Sequence, residues 1–175
     1  MSRLRHFFVL LTFAALAGGV NAGPLTIVVH KEARKLELHQ DGQVIKTYRV
    51  GLGFAPVGHK QQSGDGKTPE GHYTICVKNP QSRYYLSLGI DYPAPADADR
   101  GLAAGLITKE ESARIHTAHK KGVTPPWNTR LGGEIFIHGK GASSDWTLGC
   151  VALDDAEMKD LFDRVPAGTA VEIRK

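Results

Sequence analysis

Two cysteines, Cys76 and Cys150, are all that the 175 residues contain, so at most one disulfide is available and the fold must rest on a hydrophobic core. No Lys/Arg run or basic stripe with interleaved aromatics occurs, which argues against nucleic acid as a partner. No composition bias marks a disordered or fibrous chain, and 41% hydrophobic content suits one compact domain. The glycine-rich passage from Gly51 to Gly71 has no helix pattern after it, so it reads as a structural turn rather than a phosphate loop. His116 and His119 share a helical face, but no third ligand stands nearby. A solvated helix is the expectation there, with no metal and no cofactor.

The N-terminus is a different matter. Arg3 and Arg5 precede an uncharged run from Phe7 to Val20, and Val20-Asn21-Ala22 offers small residues for signal peptidase. The run is short for a spanning helix, which needs about 20 apolar residues. Residues 1–22 are therefore expected to be a signal peptide, with one domain over 23–175, an exported location in the periplasm or cell envelope, and no stable membrane insertion after cleavage. No cysteine near the cleavage site supports a lipid anchor. Cleavage removes two arginines and no acid, lowering the formal charge from +4 to +2. That suits contact with an anionic envelope polymer only weakly.

Leu25–Val29 reads as a strand. Lys35–His39 alternates, Asp41-Gly42 supplies a type I′ turn, and Val44–Val50 returns, giving a hairpin. Tyr73–Val77 is a further strand containing Cys76, read as a small buried residue with a free thiol. His59 and Lys60 are loop residues without an identifiable partner. Ala94 to Asp99 reads as a loop. Thr108, with Glu111 three residues on, is the predicted N-cap of a helix. The prolines of Thr124–Gly133 exclude a central strand, and Trp127 is the candidate to cover a site mouth and bind substrate. A helix capped by Asp154 or Asp155 buries Met158, Leu161, Phe162 and Val165, and Thr169–Ile173 is a last strand. The expected fold class is mainly β, an antiparallel or mixed β-sandwich with two short helices.

The chemistry concentrates in Glu134–Gly139 and Asp145–Leu153. An apolar run carries His138 to the end of a buried strand, and Cys150 follows twelve residues later behind Gly149. A thiol with a reference pKa near 8.5 is only slightly ionised at neutral pH, so a nucleophilic cysteine needs a base, most often histidine. Gly149 allows a sharp turn that brings backbone N–H groups toward a reacting carbonyl. Cys150 is thus the candidate nucleophile, His138 the proton donor and acceptor, and Gly149 a backbone oxyanion donor.

A strand ending in His-Gly, a polar loop, then Thr147-Leu148-Gly149-Cys150, together with Thr68-Pro69-Glu70-Gly71 upstream, resembles the L,D-transpeptidase catalytic domain (YkuD) family. The resemblance implies a β-sandwich and a thioester-forming acyl transfer on peptidoglycan stem peptides. It also implies that the backbone carbonyl of Gly139 orients His138, with Asp145 as the side-chain alternative, and it adds Thr147 to Trp127 as a candidate substrate contact. Leu148 stands where many members carry a histidine, and Ala152 where many carry an arginine. Three readings stay open: a transpeptidase; a hydrolase on the same scaffold, acting as an L,D-carboxypeptidase or releasing a wall-linked lipoprotein; and a non-catalytic wall-binding module.

Overall fold

The computed structural model describes residues 23–175. The expected signal peptide lies outside the described residues. The elements in chain order are β1 (Leu25–His30), β2 (Lys35–Gln40), β3 (Gln43–Arg49), β4 (Gly71–Ser82), β5 (Tyr85–Ile90), α1 (Pro95–Ala103), α2 (Lys109–Lys120), β6 (Phe136–His138), β7 (Val151–Ala152), α3 (Asp155–Arg164) and β8 (Ala170–Arg174). The strands hydrogen-bond in the order β3-β2-β1-β8-β4-β5-β6-β7. β1–β8 and β6–β7 are parallel and the other pairs antiparallel, so the sheet is mixed, as the sequence suggested.

The predicted hairpin is β2–β3, and its turn residues Asp41 and Gly42 both have positive φ, 51° and 75°, as a type I′ turn requires. Beyond β3 the chain crosses from the first edge of the ladder to the last. The Gly51 N–H donates to the Ala152 carbonyl at 2.9 Å and the Ala152 N–H returns the bond at 2.8 Å, while the Thr147 N–H donates to the Leu52 carbonyl at 3.1 Å. The ladder thus closes around one core that includes Ile27, Leu36, Leu38, Leu88, Ile137 and Val151, with Met158, Leu161 and Val165 of the α3 region packed into it. Strand edges that would otherwise be open are covered in this way on the side that carries the site.

Buried Lys31, 2% exposed, fastens the glycine-rich passage to the end of β1. Its Nζ donates to the carbonyls of Gly58 (2.6 Å) and Thr68 (2.9 Å) and to Glu70 Oε1 (2.7 Å). The passage is accordingly a fixed wall, and a buried ammonium with three acceptors is the reason.

Three differences from the sequence reading stand out. Ala94–Asp99, expected as loop, instead opens α1 (Pro95–Ala103): Pro95 occupies the first turn, where its missing N–H costs nothing, and Asp97 Oδ2 accepts the Ala94 N–H at 2.7 Å. A third helix therefore joins the two expected ones, and α1 packs with α2 over a small core of Ala98, Ile107, Ile115 and Leu131. The Thr108–Glu111 capping box forms as predicted, with bonds of 3.2 and 2.8 Å. Asp154 precedes α3 but caps no N–H of it; its Oδ1 accepts the Ala142 N–H at 3.0 Å, while Asp155 Oδ1 accepts the Lys140 N–H at 2.8 Å. These two acids hold the loop between the His138 and Cys150 strands. Finally, His59 and Lys60 do have partners. His59 lies 2.9 Å from Asp97 Oδ1, and Lys60 lies 3.0 Å from Asp65 Oδ1.

Candidate active site

His138 and Cys150 line one cavity of about 590 Å³, together with Lys60, Tyr84, Ser87, Trp146 and Leu148. β6 delivers the histidine. Its backbone is clamped on both sides, opposite Ser87 of β5 and Ala152 of β7, and the His138 carbonyl accepts the Leu153 N–H at 2.8 Å. The side chain is 3% exposed. Its Nδ1 lies 2.7 Å from the Gly139 carbonyl oxygen. A carbonyl can only accept, so Nδ1 carries the proton and Nε2 presents a lone pair. Burial pushes the imidazole pKa below its ordinary value, only partly offset by the Gly139 bond, and the ring is neutral at pH 7.

Gly139 reaches further than its carbonyl. Its N–H donates to the carbonyls of Tyr84 (3.1 Å) and Leu86 (3.3 Å), tying the β6 end to the β4–β5 turn. A Cβ there would lie 2.5 Å from Asp155 Oδ1, so the position has no room for a side chain. Two aromatic rings then flank the imidazole. Tyr84 stacks on it at 4.7 Å between centroids with planes inclined by 28°, and Trp146 meets it edge-on at 5.6 Å and 66°. Neither ring was singled out from the sequence. Trp146 sits within the motif, which was a usable signal; Tyr84 opens the aromatic stretch Tyr84–Tyr92, whose spacing suits a groove wall and core packing equally.

Cys150 emerges at the start of β7 beside a bend that only glycine can make. Gly149 has φ 131°, and a Cβ on it would lie 2.7 Å from the Lys67 carbonyl oxygen. The Cys150 sulfur accepts the Phe136 N–H at 3.4 Å, and its S–H donates to the Glu134 carbonyl at 3.6 Å. Burial pushes the thiol up to about 11. The resting pair is therefore a neutral thiol held on the β6 backbone and a neutral imidazole across the same cavity, rather than a thiolate–imidazolium pair.

The structure corrects three expectations about supporting residues and adds a second role to a fourth. The Gly149 N–H donates to Thr147 Oγ1 at 3.1 Å, so it is occupied and does not point to an oxyanion. Thr147 lines the cavity, where a substrate contact would have to be, and its hydroxyl, which accepts that bond, donates to the Cys150 carbonyl at 2.7 Å and so staples the turn before Cys150. Trp127 is absent from the cavity wall. It packs edge-on against Phe136 at 5.7 Å and over Gly133, whose added Cβ would lie 2.3 Å from it, so it supports the wall from behind. Asp145 does not approach His138. It is bound by Arg34 through Nε and Nη2 at 2.7–3.0 Å and accepts the Leu52 N–H at 2.9 Å, which locks the edge-closing segment.

Both cysteines are free. Cys76 belongs to β4, and β5 and β6 stand between that strand and β7. Two intervening strands at about 4.8 Å spacing put the pair beyond the roughly 7 Å that a disulfide spans. Among the described residues no group of three or more metal-ligating side chains is found. His116 instead meets Asp99 at 2.8 Å, and His119 meets the Pro93 carbonyl at 2.9 Å.

Known proteins resemble this chain in sequence and fold. The family model described as the L,D-transpeptidase catalytic domain, YkuD, matches residues 24–173. A curated relative, YafK of Escherichia coli strain K12, is 33% identical over 84 residues, covering 45% of this chain and 34% of that protein. The chain thus matches only about a third of the length of its curated relatives. Among solved structures, the helical cell shape determining protein Pgp2 (K307A mutant) of Campylobacter jejuni superposes with a TM-score of 0.60 at 23% identity, over 89% of this chain and 48% of that one. Bd1075 of Bdellovibrio bacteriovorus gives 0.55 at 22% identity, over 90% and 50%. The L,D-transpeptidase (residues 123–326) of Xylanimonas cellulosilytica gives 0.53 at 14%, over 89% and 63%. At these identities the structural likeness concerns the fold alone; the match of the family model to nearly all the described residues settles the membership, and the chain belongs to the L,D-transpeptidase catalytic domain (YkuD) family.

Proposed function

We propose that this protein is a peptidoglycan-modifying cysteine acyltransferase of the L,D-transpeptidase type, working through a thioester on Cys150. The observation that carries the reading is the tautomer of His138: with Nδ1–H committed to the Gly139 carbonyl, the Nε2 lone pair is the available base in the cavity that also holds the thiol. Catalysis begins when rotation about the Cys150 side chain turns the thiol from the Glu134 carbonyl toward His138. The sulfur attacks the stem-peptide carbonyl as Nε2 takes the thiol proton. The Gly139 carbonyl, which accepts Nδ1–H, stabilises the imidazolium that forms. The tetrahedral oxyanion takes the Cys150 N–H, a donor of a kind worth about 3 kcal/mol in comparable sites.

Collapse of that intermediate breaks the C–N bond, and the imidazolium gives its proton to the departing amine. An acceptor amine then attacks the thioester, His138 takes its proton, and the thiol is regenerated. Water in place of the amine gives hydrolysis by the same steps. No metal or cofactor enters the cycle. Export to the periplasm or cell envelope, directed by residues 1–22, belongs to this reading, because the polymer lies outside the cytoplasmic membrane. No described helix is long and apolar enough to cross a membrane.

Intact-protein mass spectrometry of the chain incubated with tetrapeptide muropeptides tests the assignment. The expected adduct lacks the terminal residue of the stem, sits on Cys150 and is absent in Cys150→Ala, and the products include crosslinked dimers. Shortened tripeptides alone reassign the protein as an L,D-carboxypeptidase, and release of a wall-linked lipoprotein reassigns it as a detaching hydrolase. Wall binding without any adduct leaves only a binding module.

A further inference from the structure

Three charged side chains line the cavity: Lys60, Arg83 and Glu134. Lys60 is spent. It is 3% exposed, and its Nζ donates to the Gln62 carbonyl and Asp65 Oδ1, both at 3.0 Å. Arg83 and Glu134 are exposed and form no ion pair among the described residues. Each is linked to a different one of the two reacting groups. The Arg83 guanidinium carbon is 5.2 Å from the Tyr84 ring centroid, and the same ring stacks on His138 at 4.7 Å. The guanidinium is therefore within about 10 Å of the imidazole centre, held near it by a cation–π contact. Glu134 belongs to the nucleophile's side, where its carbonyl accepts the Cys150 thiol. Ala152, two residues after the nucleophile, is fully buried and supplies no cation.

We propose that Arg83 is the specificity residue for the amino-acid unit whose amine leaves and enters during acyl transfer, and that it holds the free carboxylate of that unit on the His138 side of the cavity. This rests on the acyl-transfer reading above. His138 delivers a proton to the departing amine, so the residue after the scissile bond lies on its side. By microscopic reversibility the entering amine occupies the same place. A carboxylate there is drawn to Arg83 and kept from the Cys150 end by Glu134. The distances are compatible: the carboxyl carbon of the leaving residue lies about 4 Å from the scissile carbon, and a charge-assisted hydrogen bond adds about 2.8 Å, a span that an arginine on the adjoining turn can meet. The preferred acceptor is then an amine with a carboxylate on the same carbon, ahead of simple amines.

The test compares a stem tetrapeptide bearing a free C-terminal carboxylate with its C-terminal carboxamide, measuring kcat/KM for thioester formation in the wild-type chain, Arg83→Gln and Arg83→Lys. The wild type is expected to prefer the free acid. Arg83→Gln should lose about ten- to hundredfold on the acid, chiefly through KM, and nothing on the carboxamide, with Arg83→Lys intermediate. Equal losses on both peptides, or no loss on the acid, overturn the role of Arg83 alone. A wild-type chain that forms no thioester with either peptide overturns the acyl-transfer reading and this proposal together.

Discussion

Tyr84 lies against the imidazole of His138 at a centroid separation of 4.7 Å, while its carbonyl accepts the N–H of Gly139 at 3.1 Å. One residue of the β4–β5 turn thus covers the base and anchors the peptide that fixes its tautomer. The ring shields His138 from water, which accounts for part of the burial that depresses its pKa.

The pH dependence of acylation follows from the two shifts. His138 is depressed below the ordinary 6.5 and Cys150 is raised to about 11. The base is functional when neutral, so the rate of thioester formation should rise through a midpoint below pH 6.5 and stay level to at least pH 8. A midpoint between pH 8 and 9, the signature of an ordinary thiolate, would contradict a neutral resting pair.

Replacing Tyr84 with alanine opens His138 to solvent. Its pKa should then move up toward 6.5, and the acid limb of the rate profile should move up with it. Tyr84→Phe should keep the wild-type limb. The lost stacking is worth about 1 kcal/mol. Titration of the His138 ring by NMR reads the shift directly, and an unmoved titration in Tyr84→Ala sinks the shielding argument.

Gly149→Ala forces a Cβ to 2.7 Å from the Lys67 carbonyl in a left-handed conformation. The strain is of order 1–3 kcal/mol, and because Cys150 is the next residue, thioester formation should fall at least a hundredfold while circular dichroism remains that of the folded chain. Wild-type rates in this variant would mean that the turn does not position the sulfur.

Asp145→Ala separates stability from chemistry. It leaves the Leu52 N–H and the Arg34 guanidinium without their acceptor, at a cost of about 1–2 kcal/mol, read as a lower Tm. The carboxyl is held below its usual pKa by these partners. The contribution is present above the ordinary carboxylate pKa near 4 and is lost as pH falls through the depressed one. The midpoint of the acylation profile should not move, since Asp145 does not touch His138.

The sequence made legible whatever depends on local pattern. Asp41-Gly42 specified the hairpin turn, Thr108 with Glu111 specified the start of α2, and the apolar runs around His138 and Cys150 placed both residues near strand ends. α1 was hidden because the alanine, proline and aspartate of Ala94–Asp99 read as a loop, although the first helical turn accepts Pro95. Trp127 misled because exposure cannot be read from residue type; Phe136 and Gly133 give it a packed seat. Gly149 was identified correctly as a bend, but the competing acceptor on Thr147 for its N–H became visible only in three dimensions. Tyr84 and Arg83 enter the site from the turn between β4 and β5, and no spacing rule connects that turn to a motif more than fifty residues downstream.

β8 lies between β1 and β4, with Thr26 opposite Ala170 on one side and Gly71 opposite Ile173 on the other. Residues 170–174 therefore fill an interior slot between two parts of the sheet made from earlier sequence. The two parts of the ladder, β3-β2-β1 on one side and β4-β5-β6-β7 with the thiol and the imidazole on the other, are thus joined through residues 170–174. A chain growing from its N-terminus carries the thiol and its base out of the ribosome before this slot is filled.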